Sequence, residues 1–146
     1  MVQHVSFADA NCPIARSLEH VGEWWSVLVL RDVSAGVTRF ADLQANLGIS
    51  PGSLSRRLKG LVASGLLEQR VYATGPTRHE YVLTASGRDF LPVLAAMAAW
   101  GHRHFGPERP SARLVDRATG RTARPVVLDE KTGKRITGED HGFEPA

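Results

Sequence analysis

The sequence predicts a mainly α-helical fold carrying one small β-hairpin, followed by a short C-terminal β-ribbon. Three observations predict it. Apolar residues recur at helical spacing in four stretches of the first 105 residues. Two alternating segments flank the turn signal Thr74-Gly75-Pro76-Thr77. The last 40 residues change character, with prolines and a repeated polar turn in place of apolar periodicity.

Taking the elements in order, residues 13–32 read as a helix, with Leu18, Val21, Trp25 and Leu28 on one face. Ser34-Ala35-Gly36 breaks that pattern. A short helix follows, with Phe40, Leu43 and Leu47 on one side and Gly48 as its end. Ser50-Pro51 is a helix start: a serine hydroxyl caps free N–H groups and proline tolerates the first helical position. That helix runs to about Ser64 and stops at Gly65, with Leu54, Leu58, Leu61 and Val62 on its inner face. Residues 66–72 and 79–84 are the two strands of the hairpin. Residues 86–105 form a long helix in which Pro92 causes no more than a local kink. Two helices joined by a tight turn and followed by a hairpin make a winged helix-turn-helix.

The expected organisation is one DNA-binding and dimerisation domain over residues 1–106 and a tail over 107–146, joined through Pro107 and Pro110. The tail repeats itself at a spacing of thirteen residues: Val115-Asp116-Arg117-Ala118-Thr119-Gly120-Arg121, then Leu128-Asp129-Glu130-Lys131-Thr132-Gly133-Lys134. Each copy reads as a polar turn ending in glycine, giving two consecutive hairpin turns.

Net charge is +3, and its distribution is informative. Residues 1–38 carry net −2, residues 39–88 net +4 and residues 89–146 net +1. Positive charge gathers on the helix-turn-helix and hairpin, which suits a polyanion whose counterions are released on binding. No apolar run reaches the length a membrane helix needs. Residues 1–11 lack a secretory pattern, and the lone Cys12 excludes both an intramolecular disulfide and a multi-cysteine metal cluster. A cytoplasmic protein with no cofactor is expected. Paired carboxylates, a phosphate-cradling glycine loop and a nucleophile with a nearby base are all missing, so an enzyme is not expected.

The residues 51–64 segment carries the functional expectation. At about 100° per residue its leucines cluster and Arg56 points directly away from them. Gly52, Ser53, Lys59, Gly60 and Ala63 share the outer face, with Ser55 and Arg57 on the flanks. Small residues let a helix approach a groove floor, and Arg56 suits a bidentate bond to guanine. Ser50 and Ser53, at the positive end of the helix, suit a phosphate or base edge. Arg57 and Lys59 read as phosphate contacts. Arg39, at the start of the short helix, joins the DNA-binding set, and Arg78 at the hairpin tip suits the minor groove. Read without its neighbours, this helix is equally an ordinary amphipathic helix with a solvated face.

Cys12-Pro13-Ile14-Ala15, Trp24-Trp25-Ser26-Val27-Leu28, Arg39-Phe40-Ala41-Asp42-Leu43, Gly48-Ile49-Ser50-Pro51, Leu54-Ser55-Arg56-Arg57-Leu58, Gly65-Leu66-Leu67 and Tyr81-Val82-Leu83-Thr84 together resemble the HxlR-type regulators, a MarR-related winged-helix group. The resemblance spans roughly residues 12–105. It implies a homodimer formed by terminal helices, activation or repression at a promoter, and no catalysis. Glu23 and Gly52 depart from the lysines usual at those places. Some relatives carry a tail whose Cys-Gly pairs suit a metal. Here Thr119-Gly120 and Thr132-Gly133 stand there, and threonine is a poor zinc ligand, so a metal-free ribbon is expected.

On the last helix, Phe90, Leu91, Leu94, Met97, Ala98 and Trp100 form a stripe expected to bury against a second copy, with packing inside one chain as the alternative. Cys12 precedes a helix start, which favours thiolate. The resemblance implies an oxidant or electrophile sensor there, against the plainer reading of an inert small residue. Trp24 and Trp25 diverge, so one fills the core while the other packs at an interface or lines a small-ligand cavity. The expected function is sequence-specific binding of double-stranded DNA at an inverted repeat, responsive to an oxidant or small ligand. A winged-helix module that binds protein instead is the alternative.

Overall fold

A computed structural model describes residues 5–106, 108, 110 and 112–145. Its elements are α1 (Pro13–Val21), α2 (Trp24–Ser34), α3 (Phe40–Leu47), α4 (Pro51–Ala63), β1 (Leu67–Thr74), β2 (Thr77–Leu83), α5 (Ala85–Asp89) and α6 (Leu91–Phe105). The chain divides into two compact units, one ending at Leu91 and one beginning at Pro92. Residues 92–105 of α6 group with the tail in the second unit.

In the first unit, the leucines of α4 do what their spacing dictates. Leu54, Leu58 and Leu61 are fully buried with Val29, Leu30 and Val33 of α2, Leu43 of α3, Ile49 and Leu67. Val62, expected with them, remains exposed. Burying large aliphatic side chains in this way stabilises each by roughly 1.5–3 kcal/mol relative to water. Ser50 caps α4, its hydroxyl accepting from the Ser53 amide at 3.3 Å. Gly48, left-handed at φ 66°, ends α3 and sets up the turn between the two helices.

One charged group sits in this core. Asp32 is only 3% exposed. Its carboxylate accepts from Asn46 Nδ2 at 2.6 Å and from Arg31 Nε at 2.8 Å, and its main-chain oxygen accepts from the Val37 amide at 3.0 Å. Asp32 thereby ties α2 to α3 and to the loop between them.

The hairpin is antiparallel, pairing Leu67 with Leu83 and Thr74 with Thr77, with an irregularity between Val71 and Ala73. The Tyr81 amide also donates to the Thr38 carbonyl at 2.8 Å, so the chain ahead of α3 lines the free edge of β2.

Two expected helices are each divided. Residues 13–32 break at Gly22-Glu23, where Glu23 is extended at ψ 123°. Glycine weakens a helix, and the chain turns there before α2 begins. The last helix breaks at Phe90, two residues ahead of Pro92. Proline removes an N–H and crowds the preceding turn, so its effect is a break rather than a kink.

In the second unit the repeat folds twice in the same way. Asp116 Oδ1 accepts from the Ala118 and Thr119 amides, and Gly120 is left-handed at φ 67°. Asp129 Oδ1 accepts from the Lys131 amide, and Gly133 has the same φ of 67°. Bridges Val115–Thr122 and Leu128–Arg135 close the two turns. Of the two linker prolines, Pro107 lies outside the described residues.

Candidate nucleic-acid interface

The outer face of α4 is a row of exposed or half-buried small and basic side chains: Gly52, Ser53, Arg56, Lys59, Gly60 and Ala63. Three polar groups along it are linked. Ser50 Oγ lies 2.9 Å from Ser53 Oγ, and Arg56 Nη2 donates to Ser53 Oγ at 3.2 Å. The guanidinium is steadied from the capped end of the helix, and the side chain is exposed. An arginine restrained in this way loses less side-chain entropy when it grips a base. Lys59 is exposed one turn further along, and Ser55 is half-buried on the flank.

Arg57, expected as a phosphate contact, has a partner within the chain. Its side chain is 27% exposed and turns back so that Nη2 lies 3.7 Å from Glu23 Oε2. Its Nε is buried without a hydrogen-bond partner among the described residues. This pairing joins the start of α2 to the recognition helix and explains how an acid is accommodated at position 23.

Arg39 also has an internal role that the sequence did not suggest. Its guanidinium carbon lies 4.3 Å from the centroid of the Tyr72 ring. With Thr38 Oγ1 donating to Glu80 Oε2 at 3.0 Å, it attaches the wing to the start of α3. At the tip, Arg78 is exposed and makes no ion pair among the described residues, and His79 stands beside it. Arg70, by contrast, is paired with Glu68 at 2.7 Å. The structure thus brings Ser50, Ser53, Arg56 and Lys59 onto one helix face and holds Arg78 free at the hairpin tip.

A family model described as HxlR-like helix-turn-helix matches residues 20–109. The chain belongs to the HxlR-like helix-turn-helix family. It is a helix-turn-helix transcriptional regulator. An uncharacterised HTH-type transcriptional regulator of Mycobacterium tuberculosis is 39% identical over 133 residues, covering 90% of this chain and 84% of that protein. PA1607, described as a candidate transcription factor, shares 35% identity at a TM-score of 0.83, with 97% of this chain and 100% of that one covered. The redox regulator HypR in its reduced form shares 28% identity at a TM-score of 0.59, covering 64% of this chain and 95% of its own.

The remaining expected residues fall as follows. Cys12 is exposed at the N-cap of α1 and makes no capping hydrogen bond through its side chain. On the last helices, Leu91, Met97, Ala98 and Trp100 are exposed, while Phe90 and Leu94 are half-buried. Trp24 is 76% exposed, whereas its neighbour Trp25 is half-buried. No described helix is long and apolar enough to cross a membrane.

Proposed function

We propose that two copies of this chain bind an inverted-repeat operator, each laying α4 in the major groove and its wing tip against the adjacent minor groove. The observation that carries the proposal is the outer face of α4, where an exposed Arg56, held by Ser53, lies opposite three fully buried leucines. Twofold symmetry would set the two recognition helices roughly 34–36 Å apart, one turn of DNA. The exposed stripe of Leu91, Met97, Ala98 and Trp100 is the surface offered to the second copy. The protein works in the cytoplasm, without catalysis, by occupying or vacating a promoter.

Cys12 is the candidate sensor of the signal. It is exposed, its thiol is not committed to capping α1, and a redox regulator is among the similar folds. With a single cysteine in the chain, oxidation by a reagent such as diamide would join two subunits or a subunit and a small thiol.

Selection of bound sequences from random DNA, followed by fluorescence anisotropy, tests the reading. An enriched inverted repeat bound by a dimer is the expected result. A folded protein that enriches no sequence, or a monomer in sedimentation at micromolar concentration, rejects it and favours a protein-binding module.

A further inference from the structure

The unit that begins at Pro92 contains a cavity of about 960 Å³ between α6 and the ribbon. That is the upper end of the range, roughly 300–1,000 Å³, occupied by small-molecule sites. Phe105, Leu114, Ala123 and Val126 supply much of its carbon surface. Arg103, Arg113, Arg124 and Arg135 line it too, and no carboxylate does among the described residues. Arg113 Nη1 donates to Thr122 Oγ1 at 3.0 Å. The side chains of the other three arginines make no hydrogen bond or ion pair among the described residues.

The aspartates of the two ribbon turns are used elsewhere. Asp116 accepts the amides of its own turn, and Asp129 does the same in the second turn. Four arginines therefore border an apolar wall that no carboxylate lines among the described residues. A cation is repelled there, and an inorganic anion leaves the carbon surface wet. Of the surface offered to the second copy, Leu91, Met97 and Trp100 do not line the cavity, and only Ala98 lies on both surfaces.

We propose that this cavity binds a small organic anion with an apolar body, an alkyl or aryl carboxylate whose head meets the arginines. The inference stands apart from DNA recognition, because every residue of the cavity lies beyond Pro92.

Isothermal titration calorimetry of the full chain with decanoate and with 1-decanol tests it. Decanoate should bind once per chain, and decanol roughly tenfold or more weakly, because it lacks the charge. Arg124→Gln and Arg135→Gln together should weaken decanoate by roughly tenfold or more, with the melting temperature unchanged because both side chains are exposed. Arg103→Gln alone should weaken it in the same direction. Several results overturn the proposal: equal affinity for acid and alcohol, no binding of decanoate, or undiminished binding in the variants. Uptake of decanoate that dissociates a dimer in sedimentation also overturns it, because a second copy would then be the occupant.

Discussion

Replacing Arg56 by alanine isolates the proposed base contact from everything that holds the fold. Arg56 is exposed, and its one recorded hydrogen bond runs to the equally peripheral Ser53. Stability should therefore change by less than about 0.5 kcal/mol, as expected for a surface site. Binding should change far more. One bidentate arginine–guanine pair is worth about 1–3 kcal/mol, and a twofold dimer loses it twice, so about 2–6 kcal/mol on the operator. That is a loss of roughly 30-fold to more than 10⁴-fold. The loss should fall on the operator and spare random duplex, because a base contact carries sequence information. Lys59→Ala is the control: a lost phosphate contact weakens all DNA alike and lowers the salt slope by about 0.9 per half-site. Anisotropy titrations of operator and scrambled duplex across a salt series separate the two. Equal losses on both duplexes for Arg56→Ala would refute the assignment of this side chain to base reading.

Asp32→Ala should destabilise the protein by about 2–3 kcal/mol in urea denaturation, because charge-assisted hydrogen bonds to Asn46 and Arg31 vanish from a buried site. A cost below about 0.5 kcal/mol would mean that the α2–α3 tie is dispensable. Cys12→Ser should abolish any loss of operator binding caused by diamide, and an unchanged response would dismiss the sensor role. The Thr132 hydroxyl and then the Lys131 amide hold the Asp129 carboxyl below its ordinary 3.8. A lowered carboxyl stabilises the turn above the ordinary value and ceases to do so as pH falls through the folded one. Carboxyl NMR should show this titration below 3.8 and its return towards 3.8 in Thr132→Ala. A titration that stays put in that variant contradicts the assigned cause.

The parts of the fold that were legible in the sequence are those determined by near neighbours along the chain. Helix α4 is the clearest case: Ser50 caps it, Pro51 opens it and the leucine spacing orients it, all within one local stretch. The tail turns are legible for the same reason, since each aspartate binds amides two or three residues ahead. The breaks at Gly22-Glu23 and Phe90 were harder to see, because apolar periodicity continues across both and only the backbone registers the interruption.

The fate of the arginines depended on distant parts of the chain. Helical spacing puts Arg56 outward and Arg57 on the flank, but it says nothing of Glu23, which draws Arg57 back across the chain. Nor does it place Tyr72 beneath Arg39, since that pairing needs the hairpin already folded against the start of α3. The two internal pairings have a shared consequence. Arg57 ties α4 to the start of α2 and Arg39 ties the hairpin to the start of α3, which leaves Arg56 and Arg78 without an ion pair or aromatic partner among the described residues. Some of the positive charge concentrated in residues 39–88 joins elements of the winged helix to one another, α4 to the start of α2 through Arg57 and β1 to the start of α3 through Arg39.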